Sequence, residues 1–295
     1  MLTLLSDIVA VMAPVFLIAA LGYGWARADL PYSGPFITTF MISVATPCLV
    51  FATLLRLRFE GGELAAIAGA SLLCLALAAA VAFVILRLSG RSLRIYLPAM
   101  IFPNSGNMGM PLCLFAFGET GLGLAVVFFA VLAVAQFTLG PALAAGRLDL
   151  RQMARTPLIY AVALALLMQF LDVELPRWAA NTTTLLGDCA VPLMLLSLGV
   201  ALARLRIAGL GRAAAMSALR LGLGFAVGLS VATLLGLEGA IRGVVILEAA
   251  MPVAVFNYLW AVRYDTAPEE VAGMVLGSTL LSFATLPFLL AFVMP

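Results

Sequence analysis

Residues 101–112 read Ile-Phe-Pro-Asn-Ser-Gly-Asn-Met-Gly-Met-Pro-Leu. They lie inside an apolar run long enough to cross a bilayer, yet they concentrate helix breakers. Pro103 and Pro111 each lack an N–H, which leaves the carbonyls of Ala99 and Asn107 without their helical donor. Gly106 and Gly109 loosen the backbone between them. Asn104, Ser105 and Asn107 then bring polar side chains to a depth where lipid satisfies none of them, so irregular backbone here must be buried in protein or line a wet cavity. A packed proline kink would need fewer such residues. A helix interrupted at a substrate site, as in many secondary transporters, accounts for the whole stretch.

The surrounding chain sets the medium. Of its 295 residues 64% are hydrophobic and 10% charged, with a mean hydropathy of +1.17. A soluble domain carries about 25% charged residues, so this is an integral membrane protein. At roughly 20 residues per span the length allows about ten helices and no sizeable soluble domain. All 16 basic residues are arginine and histidine is absent. That removes His-based metal sites, Ser-His triads and His-Glu-x-x-His zinc proteases. Without lysine there is no phosphate-binding Gly-x-x-x-x-Gly-Lys loop, so any transport runs on gradients. A two-aspartate intramembrane protease needs a partner beside Asp188, and none is evident. We therefore expect no enzyme, no cofactor, no metal and no nucleic-acid partner. Cys48, Cys74, Cys113 and Cys189 lie in apolar segments without Cys-x-x-Cys spacing and read as small core residues. The first apolar run lacks a basic flank and does not read as a cleavable signal.

Ten apolar segments follow one another, near 8–26, 35–55, 64–88, 94–117, 121–145, 157–171, 181–203, 213–236, 239–262 and 269–293. Connections after the odd-numbered segments hold Arg27, Arg87, Arg91, Arg94, Arg147, Arg151, Arg155, Arg204, Arg206, Arg212 and Arg263, while the opposite side holds only Arg56, Arg58, Arg177 and Arg242. The positive-inside rule then predicts a multi-pass protein of the inner (plasma) membrane with both termini extracytoplasmic.

Prolines recur across the two halves. Pro14 pairs with Pro157, Pro47 with Pro192, Pro103 with Pro252 and Pro141 with Pro287, at nearly constant spacing. This points to a duplicated five-segment unit, 1–146 and 156–295. Five is odd, so the copies enter from opposite faces and form inverted repeats. The partner of segment 4 is segment 9, Leu247-Glu248-Ala-Ala-Met-Pro252-Val-Ala-Val-Phe-Asn257-Tyr258. Each break gives a half-helix N-terminus with partial positive charge and free N–H groups, which suits an anion such as a carboxylate. Such a break equally offers carbonyls to a cation.

At these residues the chain resembles the auxin efflux carrier family, which includes the plant PIN exporters and bacterial malate and malonate permeases. The stretches that carry the likeness are 102–112, 191–199 (Val-Pro-Leu-Met-Leu-Leu-Ser-Leu-Gly), 249–257 (Ala-Ala-Met-Pro-Val-Ala-Val-Phe-Asn) and 278–287. The resemblance implies an all-α fold of ten transmembrane helices, built as two inverted five-helix repeats with broken crossover helices 4 and 9. It also implies a scaffold domain from helices 1, 2, 6 and 7, a transport domain from helices 3–5 and 8–10, and a homodimer formed through the scaffold. The fold is similar to that of bile acid:sodium symporters as well. Two features depart from the plant pattern: the long cytoplasmic loop is missing, and Phe102 stands before Pro103 where plant members have Asn.

The expected substrate site is Pro103, Asn104, Ser105, Asn107, Met108, Pro252, Phe256 and Asn257. Glu248 and Asp188 lie inside segments at comparable predicted depth, and ionisable groups there are functional hypotheses by default. They take up a coupling proton or sodium ion, or else are structural or face an outer vestibule. Arg220, inside segment 8, either snorkels to the cytoplasmic interface or balances an acidic substrate. The function these features predict is a secondary carrier, in the efflux direction, of small organic anions such as carboxylates; a channel or membrane sensor on the same fold is the alternative.

Overall fold

The computed structural model describes residues 2–56, 62–145, 157–204 and 210–294. Arg58, Arg206 and the connection carrying Arg147, Asp149, Arg151 and Arg155 lie outside the described residues. Thirteen α-helices are seen among the described residues: α1 (Leu2–Arg27), α2 (Gly34–Phe40), α3 (Thr46–Arg56), α4 (Glu63–Leu88), α5 (Leu93–Ile101), α6 (Met110–Ala145), α7 (Pro157–Phe170), α8 (Arg177–Asp188), α9 (Ala190–Arg204), α10 (Leu210–Leu234), α11 (Gly239–Ala249), α12 (Val255–Arg263) and α13 (Pro268–Val293). No strand occurs among the described residues; one isolated bridge joins Pro103 and Val253.

Among the described residues, seven stretches are long and apolar enough to cross a membrane: Ile8–Arg27, Gly34–Arg56, Glu63–Leu88, Ser105–Ala144, Arg177–Arg204, Gly211–Leu234 and Pro268–Val293. The other apolar segments are shorter or interrupted. α7 has 14 residues, and segment 9 is split into α11 and α12. Segments 4 and 5 share α6, which turns sharply at Gly118, whose φ of 65° only glycine adopts without strain.

Helix α4 shows why the apolar runs become helices. Its 26 residues are almost wholly Ala, Leu, Val, Ile and Phe, and at 1.5 Å per residue they extend about 39 Å, enough for the hydrocarbon layer. It stops where Gly90 takes φ 65° and the Arg91 N–H donates back to the Leu86 carbonyl at 2.9 Å, a glycine-terminated helix end.

Packing divides into two groups. α1 lies along α9, and α3 lies against α7 and α8. The α1–α9 seam is so tight that a Cβ on Gly199 would overlap the Ala19 carbonyl, and one on Gly22 the Leu196 carbonyl. Backbones approach this closely in membranes only where side chains are minimal. The second group stacks α10 on α11 and α13, and α4 on α5, α6 and α10. Its arginine-rich end is tied by Arg94 Nη2 donating to the Ala144 carbonyl at 2.9 Å and by Glu270, which accepts from Arg212 Nη1 at 2.7 Å and from the Tyr96 hydroxyl.

A candidate substrate site where two broken helices cross

Both predicted breaks are present, and they meet. α5 ends at Ile101; Phe102 is extended, with φ −104° and ψ 101°. α11 ends at Ala249, and α12 begins after Ala254, which is also extended. The two extended segments run antiparallel. Asn104 N–H donates to the Pro252 carbonyl at 2.7 Å, and Ala254 N–H donates to the Phe102 carbonyl at 3.1 Å. Ser278 Oγ on α13 accepts the Val253 N–H at 3.0 Å, and Asn257 Nδ2 donates to the Phe102 carbonyl at 3.3 Å. Each break therefore supplies the partners that the other lost when its helix stopped, as buried backbone requires.

The first break restarts through a π-helical turn, Ser105–Gly109. The Asn104 carbonyl accepts from both Met108 and Gly109, each at 3.1 Å, and the Met110 N–H returns to Ser105. Widening the turn makes room for Pro111, which sits in the first turn of α6 and does not break it a second time. The first amides after each break, at Ser105–Asn107 and at Val255–Phe256, lie at helix starts, where geometry leaves N–H groups without an intrahelical acceptor.

A cavity of about 600 Å³ opens on this crossing. Pro103, Asn104, Gly106, Asn107, Val255 and Phe256 contribute from the breaks, and Phe129, Gln136 and Phe137 from α6. Thr38, Met41 and Thr46 line it from the second segment, with Met194 and Ser197 from α9. Tyr32 and Arg204 line its far end, on the arginine-rich side, with the Arg204 guanidinium 5.5 Å from the Tyr32 ring centre. The walls are mainly apolar and aromatic; Phe137 meets Phe256 edge-on with ring centres 5.1 Å apart.

Of the predicted site residues, Pro103, Asn104, Asn107 and Phe256 line the cavity. Ser105, Met108, Pro252 and Asn257 are buried behind it. Asn257 holds the crossing together through Phe102, while its Oδ1 has no partner. Gln136 was not among the predicted residues. Its signal was available, since it is the only polar side chain between Thr120 and Thr138.

The ionisable groups separate. Glu248 is fully buried: its Oε1 accepts from the Cys113 thiol at 3.7 Å, and its carboxylate fills the space that a side chain at Gly109 would need. It thus adjoins the restarted helix at Gly109, and neither residue lines the cavity. Asp188 does not share this environment. It is exposed at the end of α8, beside Gly187, which packs on the backbone of Leu49. Equal predicted depth did not bring the two carboxylates together, because they belong to different packing groups. Arg220 is 1% exposed, and its Nη2 donates to the Ala249 carbonyl at 2.9 Å. It therefore does not snorkel. Its charge stays at the C-terminal end of α11, where the helix dipole is negative.

Comparison with known proteins follows the same lines. A family model described as "Membrane transport protein" matches residues 7–148 and 142–290. An uncharacterized transporter of Methanothermobacter thermautotrophicus is 29% identical over 259 residues, covering 84% of this chain and 85% of that protein. The auxin efflux carrier component 1 of Arabidopsis thaliana is 29% identical over 114 residues, 38% of this chain and 18% of the plant protein. An uncharacterized transporter of Methanocaldococcus jannaschii is 25% identical over 190 residues, 61% of each chain.

Proposed function

Because this chain belongs to the auxin efflux carrier family of membrane transport proteins, we propose that it is a secondary carrier exporting small organic anions, carboxylates in particular, across the plasma membrane by alternating access. The observation that carries this reading is the antiparallel crossing of the two breaks at the wall of a 600 Å³ cavity. Two helix N-termini and the amides of Asn104 and Asn107 favour negative charge there. Glu248, the acidic side chain nearest the crossing, does not line the cavity.

In this reading the chain has ten spans in two inverted repeats with both termini outside. The cavity end marked by Arg204 and Tyr32 then faces the cytoplasm. The group formed by α1, α3 and α7–α9 is the scaffold and dimer surface, and the group carrying both breaks moves past it. An inside-negative potential drives an anion outward by about 2.3 kcal/mol per charge per 100 mV, so export needs no coupled ion. Should flux prove proton- or sodium-coupled, Glu248 is the group beside the crossing to carry it, and Asp188 is not.

The test is a thermal-shift panel of carboxylates on the purified protein, followed by counterflow of the best binder in proteoliposomes. Saturable counterflow that Asn107→Ala weakens supports the carrier. Unitary currents without counterflow, or shifts indifferent to Asn107→Ala, overturn it.

A further inference from the structure

Several buried hydroxyls among the described residues are satisfied within their own helices. Ser71 donates to the Ile67 carbonyl at 2.6 Å, Thr279 to Val275 at 2.7 Å and Ser282 to Thr279 at 2.7 Å. Gln136 is different. It is 6% exposed, and its Nε2 has no hydrogen-bond partner. The stretch of α6 around it is otherwise apolar, so leucine would fill the position without leaving a buried donor unmet. Asn104, also lining the cavity, has an unpartnered Nδ2 as well.

The helix fixes where Gln136 stands. Phe129, two turns earlier and on the same face, reaches the Gly106 backbone, where an added Cβ would come within 2.9 Å of its ring. Phe137, the next residue, packs on Phe256 at the start of α12. Gln136 therefore lies in the cavity wall between the N-termini of the two restarted half-helices.

We propose that Gln136 is a substrate-contacting residue whose amide donates to the carboxylate held between these N-termini, and that it sets the preference for an acid over its neutral analogue. This rests on the carboxylate reading above. A carboxylate accepts hydrogen bonds only, so it takes the amide donors of Asn104 and Gln136 without leaving any proton unpaired. A primary amide in its place brings two N–H groups to the same donors.

The probes are 3-phenylpropionate, succinate and 3-phenylpropanamide, with equilibrium binding measured on the purified full chain and on Gln136→Leu, Gln136→Glu and Asn107→Ala. Gln136→Leu should weaken the acid that binds best by about tenfold, the value of one charge-assisted hydrogen bond. Its ligand-free melting temperature should stay level or rise, because an unpaired buried amide has been removed. A purely structural glutamine would show the reverse, a lower melting temperature with affinity kept. Gln136→Glu should lose the acid and gain the amide, since the new carboxylate repels one and accepts from the other. Acid affinity within twofold of wild type in both Gln136 variants, with affinity lost in Asn107→Ala, overturns the role of Gln136 and leaves the carboxylate site standing. Binding of neither acid by the wild-type protein removes the carboxylate reading and the Gln136 assignment together.

Discussion

The two breaks look alike in the sequence and do different work. Each contains a proline, and each exchanges one backbone hydrogen bond with the other across Pro103 and Val253. Beyond that they diverge. The first break turns Asn104 and Asn107 toward the cavity and restarts through a π-helical turn. The second turns Asn257 inward onto the Phe102 carbonyl and leans on Ser278. One break thus lines the cavity with polar groups, and the other clamps the crossing. Asparagine on a broken helix is therefore no guide to ligand contact by itself; the acceptor it finds decides.

Substitutions can break this contrast, taken here from the largest expected effect on stability to the smallest. Gly109→Ala places a Cβ on the Glu248 carboxylate, which is itself fully buried. Overpacking of this kind costs about 3 kcal/mol, and unfolding in mild denaturing conditions should show it. Adding Glu248→Ala to that variant should recover part of the loss; no recovery would mean that the clash lies elsewhere. Ser278→Ala strands the buried Val253 N–H and should cost about 2 kcal/mol, read as a lower melting temperature. Asn257→Ala removes one of the two donors to the Phe102 carbonyl but leaves the Ala254 N–H in place, so about 1 kcal/mol is expected. Asn107→Ala should leave the melting temperature within a few degrees while weakening carboxylate binding about tenfold. If Asn257→Ala instead abolished binding with stability intact, the division of labour between the breaks would be reversed.

The buried ionisable residues of the group that carries both breaks extend the contrast. Arg220 neutralises the C-terminal end of α11, while Glu248 faces the start of the restarted α6 helix. Arg220 thus meets the negative end of the α11 dipole, whereas Glu248 lies in the last turn of that same helix and points at the start of another. The two are not paired with each other: Arg220 is held by a backbone carbonyl and Glu248 by the Cys113 thiol. A substitution at either one should therefore disturb the helix end it faces.

Much of this was legible in the chain. Apolar runs of span length dictate helices, because lipid leaves the backbone no other partner. Breaker residues at 101–112 and at Pro252 locate the interruptions, because proline removes a donor wherever it stands. Such effects depend on a residue and its near neighbours alone. Other properties depended on what came to face each side chain across the bundle. Asp188 and Glu248 read alike until packing put one on the surface and the other against Gly109. Arg220 has the reach to snorkel, yet the carbonyl of Ala249, contributed by another helix, holds it inside. Gln136 acquired its place only because α6 folds back at Gly118 and brings it level with two helix starts more than a hundred residues apart from each other. Local chemistry is written in sequence order, whereas the identity of a partner is set by distances between helices, and those exist only once the chain has packed.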